Sequence, residues 1–255
     1  MDIRLDGKTA LVTGASRGIG LAIARRFAEA GAQVMLSSRR AEGLERAAAE
    51  LEGLDGRVGW HAAHAGDPEQ AAACVQATLD RFGGLDILVN NAATSPHFGP
   101  MIEIERSQAV KTFEVNQLGV LAWSQAAYRA AFAANGGCIL NIASVGGLGP
   151  EPGIGWYNAT KAAVIHMTRQ LAYELAPSVR VNAIAPGLVR THFARALWEP
   201  NEQRVASHTP LRRIGEPDDI ANGALFVVSD AASWVTGEVL TIDGGATAVP
   251  GGGIG

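Results

Sequence analysis

Seven short runs of apolar, largely β-branched residues recur along the chain, each set apart from the next by a longer stretch of different character. They are TALVT (9–13), QVMLS (33–37), RVGWHAA (57–63), DILVN (86–90), CILNIAS (138–144), VRVNAIA (179–185) and EVLTID (238–243). In most of them apolar residues stand at consecutive rather than alternate positions. A strand of that kind needs cover on both faces, the condition met in a parallel sheet flanked by helices. The stretches between supply the helices: GIGLAIARRFAEAG (18–31), AEGLERAAAELEG (41–53), PEQAAACVQATLDRFG (68–83) and a long helix over about 107–134. Strand–helix alternation with right-handed crossovers predicts a doubly wound α/β fold: a seven-stranded parallel sheet with helices on both faces. No Pro/Ser-rich linker, composition break or internal repeat divides the chain, so residues 1–255 read as one domain.

Charge and cysteine usage exclude several classes of function. The chain has 21 basic and 25 acidic residues, a formal net charge of −4, and no run of Lys or Arg. A nucleic-acid-binding surface is therefore not expected. Cys74 and Cys138 stand without partners at metal-ligand spacing and read as buried core thiols. His61, His166, His192 and His208 also lack ligand spacing, so no metal is expected. The start, MDIRLDGKTALVTG, has no secretory apolar region, and no apolar segment reaches the roughly 18 residues of a membrane span. The end, GGGIG, is not a peroxisomal signal. These features point to a cytoplasmic protein.

TGASRGIG (13–20) lies where the first strand turns into the first helix. Gly14 permits the tight turn, Gly18 lets backbone approach a pyrophosphate, and Gly20 lets helix and strand pack closely. The helix N-terminus offers free N–H groups and partial positive charge to phosphates. At the end of the second strand, an acidic residue would accept from a ribose 2′-hydroxyl, whereas an Arg accommodates a 2′-phosphate. The chain has SSRR there, with Ser38 at the acidic position and Arg39 following it, and Arg17 adds a second cation from the glycine loop. Guanidinium forks suit a dianionic phosphate. The expected cofactor is NADP(H) in preference to NAD(H), which stays possible.

Ser144 closes the run CILNIAS, at the strand end where open α/β sheets place their sites. Tyr157 and Lys161 follow in WYNATKAAV, four positions apart and so on one helical face. Reduction of a ketone needs hydride at carbon and a proton at oxygen. The unperturbed phenol, with a pKa of about 10, is a sluggish acid at neutral pH. A nearby ammonium lowers an acid's pKa by roughly 1–3 units, so Lys161 is expected to tune Tyr157 as a general acid–base catalyst. Ser144 would hydrogen-bond the substrate oxygen as charge develops, and Lys161 could also hold the nicotinamide ribose hydroxyls.

TGASRGIG, NNAA (90–93), Ser144, YNATK (157–161), APG (185–187) and TGEVLTIDGG (236–245) occur in this order. Together they resemble the short-chain dehydrogenase/reductase family over nearly the whole chain. The resemblance implies a Rossmann-type sheet, an NAD(P) cofactor and commonly a homotetramer. It makes Ser144, Tyr157 and Lys161 the catalytic triad and adds Asn116 of FEVNQLG, which holds a water that relays protons from the lysine. It implies cofactor contacts from Gly14, Ser16, Arg17, Gly18, Ile19, Gly20, Ser38 and Arg39. Asn91 and Ala92 would line the adenosine ribose, and Tyr157 and Lys161 would touch the cofactor as well. Pro186, Gly187, Val189 and Thr191 match the loop that receives the nicotinamide amide. Two departures stand out: Ala93 replaces a glycine, and His64, beside Ala65, stands where many members carry an Asp near the adenine, leaving backbone to serve there. Asp67 reads instead as the N-cap of the helix opening at Pro68.

In this family residues 188–217 form a lid over the substrate. Phe193, Leu197 and Trp198 there, with His97 and Phe98, suggest an apolar or aromatic carbonyl compound. The chain also resembles β-ketoacyl-acyl-carrier-protein reductases and NADP-retinol dehydrogenase/carbonyl reductases. Arg129, Arg169, Arg25 and Arg26 are candidates for docking an acyl carrier protein, though a solvated helix face accounts for them equally. The leading expectation is NADPH-dependent reduction of a ketone or 3-oxoacyl group to the secondary alcohol. The alternatives are an NAD-linked dehydrogenase of a steroid or sugar-like alcohol and a non-catalytic dinucleotide-binding sensor.

Overall fold

The structure is a computed structural model that describes residues 3–248, apart from the side chains of Asn201 and His208. The terminal GGGIG and the His208 side chain considered above lie outside the described residues. The seven apolar runs form β1 (Thr9–Thr13), β2 (Gln33–Ser38), β3 (Val58–Ala62), β4 (Ile87–Asn90), β5 (Gly137–Ile142), β6 (Val179–Pro186) and β7 (Val239–Ile242). They pair in the order β3-β2-β1-β4-β5-β6-β7, every pair parallel. The two-sided burial read from sequence holds within β1. Ala10 and Val12 pack on one face with Ile23, Phe27 and Val227, while Leu11 packs on the other with Trp123, Phe132 and Ile139. Both cysteines are buried, Cys74 against the second face and Cys138 against the first.

The helices are α1 (Gly18–Glu29), α2 (Ala41–Ala49), α3 (Pro68–Phe82), α4 (Arg106–Phe113), α5 (Gly119–Ala127), α6 (Ala133–Asn135), α7 (Gly155–Leu175), α8 (Arg195–Trp198), α9 (Glu202–His208) and α10 (Pro217–Val228). Asp67 caps α3 as expected, its carboxylate accepting from Glu69 N at 3.0 Å and Gln70 N at 3.1 Å. Gly83 ends α3 in the left-handed conformation, φ 83°, which glycine adopts without strain. α2 is shorter than expected: after Ala49 the backbone tightens, with Leu51 N donating to Ala48 O at 3.0 Å, and Leu51 turns into the core.

The expected helix over 107–134 spans 106–135 but is not uniform. Two wide π segments, Glu114–Leu118 and Tyr128–Phe132, separate α4, α5 and α6. Such bulges concentrate at functional places in helices. Here the first brings Gly119 so close to the preceding chain that a Cβ would lie 2.4 Å from the Ala65 carbonyl oxygen. No helix among the described residues is long and apolar enough to cross a membrane.

Strand order reverses between β1 and β4, and a crevice opens beyond the carboxyl ends of the strands at such a point. A buried polar chain holds the neighbouring layers in register. Asn90 Nδ2 on β4 donates to Asn141 Oδ1 on β5 at 2.9 Å and to Ser124 Oγ on α5 at 3.2 Å. Asn141 Nδ2 donates to Thr168 Oγ1 on α7 at 2.9 Å. Truncating its centre strands polar groups away from water, at a cost of about 1–3 kcal/mol each. Asn141→Ala is therefore expected to lower unfolding free energy in urea by about 2 kcal/mol or more. A change within about 0.5 kcal/mol, the range of an ordinary surface substitution, would contradict this account of the interlayer contact.

Candidate active site

The end of β1 is tied to the end of β4. Thr13 Oγ1 donates to Val89 O at 3.1 Å and accepts from Asn91 N at 2.9 Å and Ala92 N at 3.1 Å. Asn91 Nδ2 in turn donates to Thr13 O at 2.8 Å. The Asn91 amide is thus spent on the turn itself, and it comes so near that a Cβ on Gly14 would lie 2.8 Å from it. Gly14 and Gly18 adopt φ of 66° and 60°, where side chains are strained. A Cβ on Gly20 would stand 2.5 Å from the Gly14 oxygen. The loop therefore folds tightly back on α1 and leaves its concave side open.

That side is built for an anion. α1 has no side-chain cap and no acidic residue in its first turn, so its leading N–H groups face outward with the positive end of the helix dipole. Arg17, Arg39, Arg40 and Arg46 line the same crevice. None of the four takes part in an ion pair among the described residues. Glu42 is the one acidic side chain beside them in the crevice wall. Ser38, at the last position of β2, presents no carboxylate.

From this cradle one continuous crevice of about 530 Å³ runs along the strand ends to Ser144, Tyr157 and Lys161. Its wall includes all the expected contact residues: Gly14, Ser16, Arg17, Gly18, Ile19, Gly20, Ser38, Arg39, His64, Ala65, Asn91, Ala92, Pro186, Gly187, Val189 and Thr191. His64 turns its ring onto its own loop, Nδ1 accepting from Gly66 N at 3.2 Å. Beyond β6, Gly187 N donates to Ile242 O, at the end of β7, at 2.9 Å. The chain then crosses until the Thr191 methyl would lie 3.4 Å from a Cβ on Gly18. The two loops meet over the crevice.

Ser144 sits two residues beyond β5, and its Oγ accepts from Gly146 N at 3.2 Å. Tyr157 and Lys161 lie one turn apart on α7, half-buried and buried respectively. Lys161 Nζ donates to Ile142 O at 2.7 Å and stands 5.6 Å from the centre of the Tyr157 ring. Phe193 packs tilted against that ring, centroids 5.9 Å apart. Trp156 Nε1 donates to Ala109 O at 2.9 Å and fixes the start of α7 against α4.

The electrostatics differ from the sequence expectation. Burial pushes the Tyr157 phenol above its ordinary range, the Glu151 carboxylate pushes it the same way, and a hydrogen bond with Ser144 opposes both. Lys161 is not among the influences on the phenol, and burial lowers the ammonium's own pKa to about 8. Glu151 is the influence that sequence reasoning missed. It is the only charged residue between Ser144 and Tyr157, which was the available signal, but an irregular loop gives no spacing rule from which to place it. Lys111, Arg40 and Arg46 also enter the wall unanticipated.

Four expected site residues stand outside the crevice wall. Asn116 is fully buried behind the wall in the first π segment. Its Nδ2 donates to Thr94 O at 2.9 Å and Thr160 Oγ1 at 3.1 Å, and its Oδ1 accepts from Thr94 N at 2.8 Å. Through these bonds Asn116 ties α7 to the loop after β4. Phe98 lies on Gly153, where a Cβ would be 2.9 Å from its ring, and His97 Nε2 pairs with Pro100 O at 3.1 Å; neither joins the crevice wall. Of the segment 188–217, Phe193 and Leu197 line the crevice. Trp198 does not: its Nε1 donates to Thr191 O at 3.2 Å beneath the Arg190 guanidinium. No three His, Cys, Asp or Glu side chains among the described residues are grouped to hold a metal ion.

Residues 14–247 match a family model described as enoyl-(acyl carrier protein) reductase. Dehydrogenase/reductase SDR family member 4 from Bos taurus is 39% identical over 244 residues, covering 94% of this chain and 88% of that protein. The 7alpha-hydroxysteroid dehydrogenase of Escherichia coli (strain K12) is 37% identical over 249 residues, 96% of each chain. A solved structure of 7 alpha-hydroxysteroid dehydrogenase complexed with NADH and 7-oxo glycochenodeoxycholic acid superposes with a TM-score of 0.90 at 36% identity, covering 96% of both chains.

Burial of Lys161 has a measurable consequence. In protein with isotope-labelled lysine, its side-chain resonance should titrate with a midpoint at about 8, against 10.5 for a free lysine. Between those values the unfolded chain holds a proton that the folded one has lost, so this group makes stability rise with pH there. A midpoint at the free-lysine value would contradict the buried environment.

Proposed function

The chain belongs to the short-chain dehydrogenase/reductase family, and on that premise we propose that it reduces a ketone or 3-oxoacyl group to the secondary alcohol with NADPH, Tyr157 serving as proton donor. It is an oxidoreductase of CH–OH groups, and its family binds NAD(P)(H). The observation that carries the finer reading is the continuity of the crevice: the uncapped α1 terminus and free arginines at one end, and Ser144, Tyr157 and Lys161 at the other.

The residues present fit a dinucleotide. The Gly14–Gly20 loop lines the crevice, and the uncapped α1 N–H groups await an anion. Arg17 and Arg39 would hold a ribose 2′-phosphate, with Arg40 and Arg46 near enough to add charge. Ala65, Asn91 and Ala92 would form the wall beside the adenosine, and Pro186, Gly187, Val189 and Thr191 would receive the nicotinamide amide. When bound, the nicotinamide supplies the hydride.

The chain's own groups then handle the proton. Ser144 Oγ donates to the substrate oxygen and holds it near the phenol. Tyr157, its pKa raised by burial and by Glu151, stays protonated at neutral pH, the state a proton donor requires. As the proton leaves, the Lys161 ammonium one turn away stabilises the phenolate, and near pH 7 that ammonium, with a pKa of about 8, still carries its charge. An NAD-linked steroid-like alcohol dehydrogenase is the second reading, favoured by the NADH in the related structure and opposed here by the missing carboxylate at Ser38.

Residues 1–255 acting as one domain, with 188–217 as its lid, are part of the same proposal, as are a cytoplasmic location and a homotetramer. Tyr173 and Trp234, 84% and 97% exposed and outside the crevice wall, support self-association.

Tyr157→Phe should bind NADPH as the unaltered protein does and lose about a thousandfold or more in kcat, as expected when a general acid is removed. Undiminished reduction by that variant, followed by nicotinamide absorbance, would remove Tyr157 from its role. Arg39→Ala should weaken NADPH binding by about tenfold, the worth of one charge-assisted hydrogen-bond pair, and change NADH binding little. Equal effects on the two cofactors in a fluorescence titration would refute the 2′-phosphate assignment.

A further inference from the structure

Glu151 stands in the substrate end of the crevice wall with Ile154, Tyr157, Phe193 and Leu197. Its carboxylate leans over Gly146, where a Cβ would lie 2.2 Å from Glu151 Oε2. Gly146 is the residue whose N–H bonds Ser144 Oγ, so the carboxylate stands beside the serine–tyrosine pair. It is half-buried, and no ion pair among the described residues includes it. Asn158, which also borders Gly146, offers an amide and no charge. Withdrawal from water without a cation is unfavourable for a carboxylate.

The loop is fixed in this unfavourable place. Gly99 N donates to Gly153 O at 2.8 Å, the Phe98 ring covers Gly153, and the Met101 side chain would meet a Cβ on Gly155 at 3.3 Å. Burial and the Coulomb effect agree with the geometry: Glu151 is itself pushed above the usual carboxylate range by desolvation and raises the Tyr157 phenol. A ligand bringing positive charge would relieve both effects, and the hydrocarbon of such a ligand would meet Ile154, Leu197 and the Phe193 ring.

Resting on the reading of this crevice as a carbonyl-reducing site, we infer that the substrate is a ketone carrying a cationic nitrogen, which Glu151 receives. The ammonium would offset the negative charge beside Tyr157 as the phenol gives up its proton, so it should raise kcat as well as lower KM. A substrate carboxylate would be repelled from the same place.

Three ketones of one skeleton test this: 3-(aminomethyl)acetophenone, 3-ethylacetophenone and 3-acetylbenzoate. Their affinities are measured by calorimetry with NADPH-loaded Tyr157→Phe protein, with and without Glu151→Gln, and their turnover with the unaltered enzyme. The expected order of affinity is ammonium, then ethyl, then carboxylate, with the first step about tenfold for a charge-assisted contact. Glu151→Gln should bring that ratio to within about twofold. No measurable binding of the ammonium ketone, binding no tighter than the ethyl ketone, or a preference that survives Glu151→Gln overturns the inference. Should Glu151→Gln fail to fold, as judged by NADPH titration, the order of the three ligands with Glu151 intact decides it. Ammonium-selective binding without turnover of any ketone would refute the proposed reaction and with it the cationic ketone as substrate, leaving only Glu151 as a receiver of cations; turnover without ammonium selectivity would overturn this inference and leave the reaction standing.

Discussion

The hydrogen bond from the buried Lys161 ammonium to the Ile142 carbonyl, 2.7 Å long, fixes the geometry on which the rest of the site depends. It joins α7 to the last residue of β5. Ser144 leaves that strand two residues later, and Tyr157 sits one turn earlier on that helix, so a single contact sets the separation of both from the strand ends. A charge removed from water in this way is tolerated only with good partners. Its reduced pKa of about 8 measures how incompletely one carbonyl replaces solvent.

The other end of the crevice is set by a different contact, between Thr13 and the Asn91–Ala92 turn. It holds the ends of β1 and β4 at the reversal of strand order, where no crossover helix fills the space. The glycine loop and the serine–tyrosine–lysine group share one crevice because the strands they follow are parallel and end on the same side. Placed there, the phenol is governed chiefly by burial and by Glu151. In the proposed reaction the lysine would act when charge develops on the phenol rather than by keeping it ionised beforehand.

Most of this arrangement was legible in the sequence because it follows from periodicity and turn chemistry. Continuous apolar runs such as TALVT and CILNIAS admit only doubly covered strands, and Asp67–Pro68 announces the start of α3. The Tyr157–Lys161 spacing places both on one face of any helix. What escaped depends on tertiary environment. The first π segment, Glu114–Leu118, ends where Gly119 meets the Ala65 carbonyl, a contact between residues 54 positions apart by number. That the Asn116 amide bridges Thr94 and Thr160 could not be read from its position in the helix. Glu151 was invisible because loop geometry sets its distance from Tyr157, and Phe98 and Trp198 misled because an aromatic near a cleft can as readily pack beside it.

The central claim is that the crevice brings a hydride donor and the Tyr157 proton to opposite ends of one carbonyl bond. Following deuterium from NADPH labelled at C4 of the nicotinamide tests it most directly. The account predicts one deuterium on the carbinol carbon of the product alcohol, with hydrogen from solvent found only on its oxygen. A carbinol hydrogen drawn from solvent, or no alcohol formed from any ketone offered, would contradict it.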